Sequence, residues 1–395
     1  MLGLSTLARQ IQPSATLAAS AKAKQIRAQG VKVHDFSLGQ PDFPTPEHIC
    51  QAALKAMHEG HTGYTPANGI PELRAAVAKY YQRLHGVTYT PDQVVVSNGA
   101  KHAIYNVLAA LVGPGEEVII PSPYWVSYSD MVEMTGAKFV LVPTSPTSQF
   151  KMTPPQLKAA ISPRSRLLML NSPCNPTGTV YTRRELEALA DVTLEAKLSV
   201  LSDEIYEQLI YGDARATCFA GLRPELKEST ITVSGASKSY SMTGWRMGWS
   251  CGPSHVIKAI GDIQSQQTGC PCSISQYAAL AALEGDQACV AKMRDEFEAR
   301  RDLVCRRLPK IKGITCAVPD GAFYAFFNVS ALFGRTLGGA TIIDSAAFCQ
   351  AALEQAHVNM VAGSAFGAEG FARLSYAASI NELNGGLDAL EKWLG

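Results

Sequence analysis

The 395-residue sequence has no surplus of either charge: 35 Lys and Arg stand against 34 Asp and Glu, a formal net charge of +1. No long-range field gathers nucleic acid or an anionic membrane surface, so any anion must be held by local groups. Charged residues are few, 17% against 47% hydrophobic, which excludes a generally disordered chain and supplies a large core. No apolar run approaches the roughly 20 residues that a membrane-spanning helix needs. Residues 1–12 lack the continuous apolar stretch of a secretory signal, so a cytoplasmic protein is expected, with neither nucleic acid nor membrane as partner. Cysteine pairing is missing too. The ten cysteines are scattered from Cys50 to Cys349, none in a CxxC pair, and only Cys270 and Cys272 lie close together. Buried thiols in a reducing compartment are expected, and no metal site. Repeats and low-complexity blocks are also absent, which excludes a solenoid.

What is present is an alternation. Apolar, β-rich runs at 93–96, 117–120, 138–142, 166–170 and 198–201 read as strands. Helical patterns at 101–111, 124–134 and 183–195 fall between them. Crossovers of this length imply an α/β fold with a mainly parallel, doubly wound central sheet. The C-terminal part differs: a long charged helix at 288–308, a strand at 323–328, a helix at 346–355, a strand at 371–376 and a helix at 380–393. That pattern reads as a smaller α+β domain joined by the N-terminal segment. The expected division is 46–285 for the large domain, and 1–45 with 286–395 for the small one.

Open α/β sheets bind ligands beyond the carboxyl ends of their strands. Polar residues cluster where those ends are expected: Ser97-Asn98-Gly99-Ala100-Lys101, Asn171 to Gly178, Ser202-Asp203-Glu204-Ile205-Tyr206, and Ser234-Gly235-Ala236-Ser237-Lys238. Packing alone does not explain four such ends. Small residues at Gly99 and Ala100 free backbone N–H groups at a helix start to meet a phosphate. Neither GxGxxG nor GxxxxGK[ST] is present, so this is no dinucleotide fingerprint and no Walker loop. Arg246 could clamp the same anion, or form a surface salt bridge. Most lysines are solvated surface charges, but Lys238 follows a β-run among small residues that leave room for a bulky group. A lysine so placed can form a Schiff base when its surroundings lower its pKa. Asp203, after an apolar strand, needs a cationic partner such as a pyridinium nitrogen, or else caps the next helix. Asn175 and Tyr206 could donate to a phenolate oxygen, and Trp125 could stack on a flat ring or simply fill the core. Together these parts match what pyridoxal phosphate requires.

Asn175-Pro176-Thr177-Gly178, Asp203-Glu204-Ile205-Tyr206, and Ser234 to Lys238 followed by Gly244-Trp245-Arg246 resemble the motifs of the class I aminotransferases. The resemblance runs from Pro13-Ser14-Ala15-Thr16 to Ala372-Arg373-Leu374-Ser375-Tyr376, nearly the whole chain. It looks most like the bacterial-type aspartate aminotransferases and the related prephenate enzymes. It implies a fold type I transferase using pyridoxal 5'-phosphate, acting on amino acids and 2-oxo acids as a homodimer with shared active sites. By that resemblance Lys238 carries the cofactor and serves as the base, and Asp203 pairs with the pyridine nitrogen. Asn175 and Tyr206 would hold the phenolate oxygen, with Trp125 against the ring. Gly99, Ala100, Lys101, Ser237 and Arg246 would hold the phosphate, with Tyr64 reaching it across the dimer interface. Arg373 would grip the substrate α-carboxylate, while Gly39 lies over the substrate on the N-terminal segment. Lys101 and Thr16 resemble the distal-carboxylate site that selects dicarboxylates; Gln267 departs from the small hydroxyl residue expected near it. The implied reaction is transamination between aspartate or glutamate and 2-oxoglutarate or oxaloacetate, with prephenate as a further substrate. The alternatives are an aminotransferase for aromatic, alanine or kynurenine-type substrates, a lyase on the same fold, and a transcriptional regulator. The regulator needs an added DNA-binding domain, and the residues before Pro13 are too few to form one.

Overall fold

The computed structural model describes residues 2–395. Among these, the largest sheet has seven strands: β1 (Val94–Asn98), β2 (Glu117–Ser122), β3 (Lys138–Pro143), β4 (Ser165–Asn171), β5 (Ser199–Asp203), β6 (Thr230–Gly235) and β7 (Met247–Cys251). Their order across the sheet is β1-β7-β6-β5-β4-β2-β3. Neighbours from β6 through to β3 pair in parallel, whereas β7 runs antiparallel to both β1 and β6. The mainly parallel sheet expected from the alternation is present.

The apolar runs have a physical cause. Leu167 and Met169 of β4 pack on one face, with Ala103, Ile104, Val107, Ile257 and Ile260 from two helices. Leu168 and Leu170 point the other way, to Leu186, Leu189 and Ala190 of the helix Arg183–Glu195. Successive strand residues alternate between faces, so a strand covered on both must be apolar throughout. The helix Arg183–Glu195 begins where a capping box dictates. Thr182 accepts from the Glu185 amide, and the Glu185 side chain accepts from the Thr182 amide.

Sequence periodicity did not reveal β7 or the helices Glu47–His58, Pro71–His85, Ser254–Gln267 and Ser273–Glu284. β7 is buried along its whole length, so it shows no alternation. Its Gly248 is required by contact: a Cβ there would lie 2.3 Å from the Ala100 amide nitrogen. The gap lets the start of the helix Ala100–Leu111 sit directly on the sheet.

A second sheet holds β8 (Thr315–Cys316), β9 (Tyr324–Asn328), β10 (Val361–Ala362) and β11 (Phe371–Ser375), antiparallel in the order β10-β11-β9-β8. It shares a core with Phe297, Val304, Phe348, Leu383, Leu387 and Leu390 from the C-terminal helices. Phe36 joins the same core, and His34–Asp35 pair in parallel with Val358–Asn359, which ties the N-terminal segment to this unit. Tyr206, Leu209 and Tyr211, just beyond β5, are buried in it too. The ligand edge of the large sheet therefore abuts the second sheet. No helix among the described residues is long and apolar enough to cross a membrane.

Candidate active site

A cavity of about 320 Å³ opens at that edge. Its lining includes Thr16, Gly39, Ala100, Lys101, Trp125, Asn175, Asp203, Tyr206, Ser237, Lys238, Arg246 and Arg373. Residues as far apart as Ser14 and Arg373, 359 positions (373 − 14), thus meet in one place, at the carboxyl ends of the strands.

Lys238 lies in the short helix Ala236–Ser239 that follows β6. Its Nζ donates to the Gly39 carbonyl at 2.6 Å and lies 5.9 Å from the ring centres of Tyr206 and Phe323. Burial, then the positive charges of Arg246 and Arg373, push the ammonium pKa down to about 8, partly offset by Asp203. A lysine poised there is about one-tenth free amine at pH 7 and half at pH 8, far more than an ordinary lysine, as a nucleophile or proton acceptor requires. Gly39 can approach because it has no side chain: a Cβ would fall 2.2 Å from the Tyr324 hydroxyl oxygen.

Asp203 ends β5 and is 4% exposed. Its Oδ1 accepts from the Ile205 amide at 3.2 Å, and its Oδ2 from the Tyr128 hydroxyl. Burial raises the carboxyl to about 6, against the Tyr128 and Ile205 hydrogen bonds and the charge of Lys238. It is therefore a buried anion at neutral pH. The cap role open to it in the sequence is only a turn bond two residues on, and no long helix follows it.

The anion cradle is built on the helix Ala100–Leu111, whose N-cap is Gly99 with φ 86° and no side-chain cap. A Cβ on Gly99 would lie 2.4 Å from Arg246 Nη2, so the guanidinium packs over bare backbone. Arg246 donates to the Thr243 carbonyl at 2.8 Å, which aims it across the helix start. Uncapped amides, helix dipole and guanidinium all favour a negative ligand. Lys101 is exposed at the mouth, its Nζ 5.0 Å from the Trp125 ring centre. Its pKa is lowered by burial of the stem and by Arg246, with Asp130 opposing. Trp125 is fixed edge-on against Tyr128, ring centres 5.4 Å apart.

Arg373, on β11, is a buried cation, 1% exposed. It donates to Asn175 Oδ1 at 2.8 Å and to the Ser37 carbonyl, and stacks 4.5 Å from the Tyr324 ring centre. No ion pair to a carboxylate is made by it among the described residues, and its Nε has no partner. Burial lowers its pKa, yet guanidinium stays charged. A buried cation with an unmet donor is a site for an anion.

Two expected residues stand apart. Gly99 backs the cavity through Arg246 without lining it, and Tyr64 is 99% exposed, outside the cavity of its own chain. Gln267 pairs with His102 Nε2 at 2.8 Å behind the lining. Sequence reasoning missed Tyr128 and Tyr324. Tyr324 bonds the Tyr206 hydroxyl at 2.7 Å and carries Arg373 on its face. Nothing in its local sequence marks it, because Tyr206 lies 118 positions away and Arg373 on the neighbouring strand β11.

The fold and this arrangement define an aminotransferase. Residues 31–390 match the model for aminotransferase class I and II, and the chain belongs to that family. It is 46% identical over 384 residues to an aspartate aminotransferase of Geobacillus stearothermophilus, covering 97% of each chain. An aspartate/prephenate aminotransferase of Cereibacter sphaeroides is 47% identical, with 95% of this chain and 94% of that one covered. Among solved structures, the aspartate aminotransferase of Thermus thermophilus with maleate superposes with a TM-score of 0.94 at 41% identity, covering 100% of both chains.

Proposed function

We propose that this chain is an aspartate aminotransferase that uses pyridoxal 5'-phosphate, with prephenate as a further amino acceptor. The observation that carries the reading is Arg373, a buried cation without a carboxylate partner, on the same cavity as Lys238 and Asp203. A planar carboxylate suits a guanidinium in that position.

The donor set fits the cofactor. The bare Gly99 backbone under Arg246 makes a cradle that a Cβ would fill, and it suits a phosphate. The buried carboxylate of Asp203 suits a protonated ring nitrogen, and Trp125 offers a flat face. Pyridoxal phosphate, when bound, supplies a ring that accepts the electron pair left when the amino acid loses its Cα proton. Lys238 would hold the cofactor covalently through Nζ, and as a free amine the same side chain would take the Cα proton and return one. A pKa near 8 suits both directions of that transfer. Asn175 and Tyr206 would hold the phenolic oxygen, and Ser237 would join Ala100, Lys101 and Arg246 at the phosphate. Gly39, bonded to Lys238 through its carbonyl, lies over the substrate and limits water.

Dicarboxylate choice rests on Lys101, opposite in sign to a distal carboxylate, and on the Thr16 hydroxyl, which can donate to one, both at the mouth. The Thermus relative, solved with the dicarboxylate maleate, supports it. We also propose a homodimer in which Tyr64 reaches the phosphate held by the second subunit, since its own chain leaves it exposed. The domain division 46–285 against 1–45 with 286–395 is proposed on the shared core of Phe36 with the C-terminal helices. Borohydride reduction of the cofactor-loaded protein, followed by peptide mass spectrometry, tests the assignment. A pyridoxyl mass on the Lys238 peptide is expected; the same mass on another lysine overturns it.

A further inference from the structure

Behind the Asp203–Tyr206 loop, on the side away from the cavity just described, lies a second polar cluster. His85 ends the helix Pro71–His85, while Glu204 and Glu207 follow β5. One donor atom from each of the three lies within 4.8 Å of the others. Both glutamates are buried. Glu207 Oε2 is 2.8 Å from His85 Nε2, and its Oε1 accepts from the hydroxyls of Tyr80 at 2.7 Å and Ser234 at 2.8 Å. Glu204 Oε1 accepts from the Ser202 hydroxyl at 2.7 Å and the Phe219 amide at 3.1 Å. Glu204 Oε2 is buried with no partner. An orphaned carboxylate oxygen beside a second carboxylate costs free energy unless something positive meets it.

We propose that His85, Glu204 and Glu207 form a binding site for a divalent cation of the zinc type. One imidazole nitrogen with carboxylate oxygens is a donor set that zinc accepts and that magnesium or calcium, which take all-oxygen shells, do not favour. A proton on Glu204 is the rival occupant. Burial and the charge of Glu207 push that carboxyl up to about 7, so zinc must displace the proton to bind. Two ligands on one tetrahedral zinc stand roughly 3.3 Å apart, so the 2.8 Å His85–Glu207 contact must open by about 0.5 Å. His85 can move that far because the helix stops there, with Gly86 in the left-handed conformation at its C-cap. A cavity of about 650 Å³ lined by His85, Glu207 and Gln208 gives an entry path and room for a water ligand. No local pattern marks this site: there is no CxxC, and 119 positions (204 − 85) separate the histidine from the first glutamate. A bound ion would tie the helix end to the loop that carries Asp203 and Tyr206.

The test is zinc titration of the purified, cofactor-loaded enzyme against a chromophoric chelator. One zinc per chain is expected, with affinity lowered by more than about 10–100-fold in both His85→Gln and Glu204→Gln. Absence of stoichiometric binding overturns the proposal, since a proton on Glu204 then accounts for the cluster alone. So does binding that these variants leave unchanged, or that Cys272→Ser removes. Should the variants fold poorly, cobalt-loaded wild-type protein decides the matter. Weak d–d bands alone support N and O ligands, whereas an intense thiolate charge-transfer band places the ion on cysteine and overturns the site.

Discussion

Tyr128 donates its hydroxyl proton to Oδ2 of Asp203 across 2.5 Å, inside a core that leaves the carboxylate 4% exposed. The bond opposes the desolvation that would otherwise hold Asp203 neutral, and the balance sets the carboxyl at about 6. A tyrosine that never lines the main cavity thus decides whether that cavity has its anion.

Tyr128→Phe should therefore raise the Asp203 pKa by about 1–2 units, the equivalent of a charged hydrogen bond worth roughly 1.5–3 kcal/mol. The acid limb of the kcat/KM profile is expected to move toward higher pH, with activity at pH 7 falling about two- to tenfold and activity at pH 8 by no more than about twofold. A uniform loss with an unshifted profile would point to a packing defect instead.

Asp203→Asn separates function from stability. The folded pKa of about 6 lies above the ordinary 3.8, so between those values the native state binds more protons than the unfolded chain. Stability contributed by the neutral form is full below about 4 and lost as pH rises through 6. The asparagine variant, stripped of cofactor, should gain up to about 3 kcal/mol over wild type at pH 7–8 and almost nothing at pH 4. Its transaminase activity should nevertheless be nearly gone. Chemical denaturation at the two pH values checks the sign.

Lys238→Ala should reduce kcat by about 10⁴-fold or more, because one side chain supplies both the covalent link and the proton transfer. Steady-state assay is sufficient, and a variant keeping a hundredth of the activity would contradict the role.

Arg373→Met should lower kcat/KM for every amino acid by about 100-fold or more, through loss of the α-carboxylate contact. Because the wild-type guanidinium is buried with an unmet Nε, the same variant should be at least as thermostable as wild type. A thermal scan beside the kinetics tests both halves.

Much of the large sheet was legible because parallel strands covered on both faces must be apolar throughout, as Leu167 to Leu170 are. Lys238, Asp203 and Asn175 were legible because polar residues directly after such strands have few packing reasons to be there. β7 was not, since its Met-Gly-Trp-Ser-Cys run follows no period and owes its burial to neighbours on either side. Tyr128 and Tyr324 were missed for a related reason: each looks like an ordinary core aromatic until Asp203 or Arg373 is brought to it. The His85, Glu204 and Glu207 cluster has the same origin, a helix end meeting a strand end far along the chain.

Dicarboxylate transamination at Lys238 is read out by the half-reaction. L-aspartate, L-glutamate, L-phenylalanine and L-alanine are added singly to cofactor-loaded protein, and the visible band of the pyridoxal form is followed. Rapid bleaching by aspartate and glutamate is expected, restored by 2-oxoglutarate and slowed at least tenfold by Lys101→Ala, the loss of one charged contact. Prephenate should then restore the band as well. Bleaching by phenylalanine or alanine alone, indifferent to Lys101→Ala, would contradict the dicarboxylate assignment, and no visible band at all would contradict the role of Lys238.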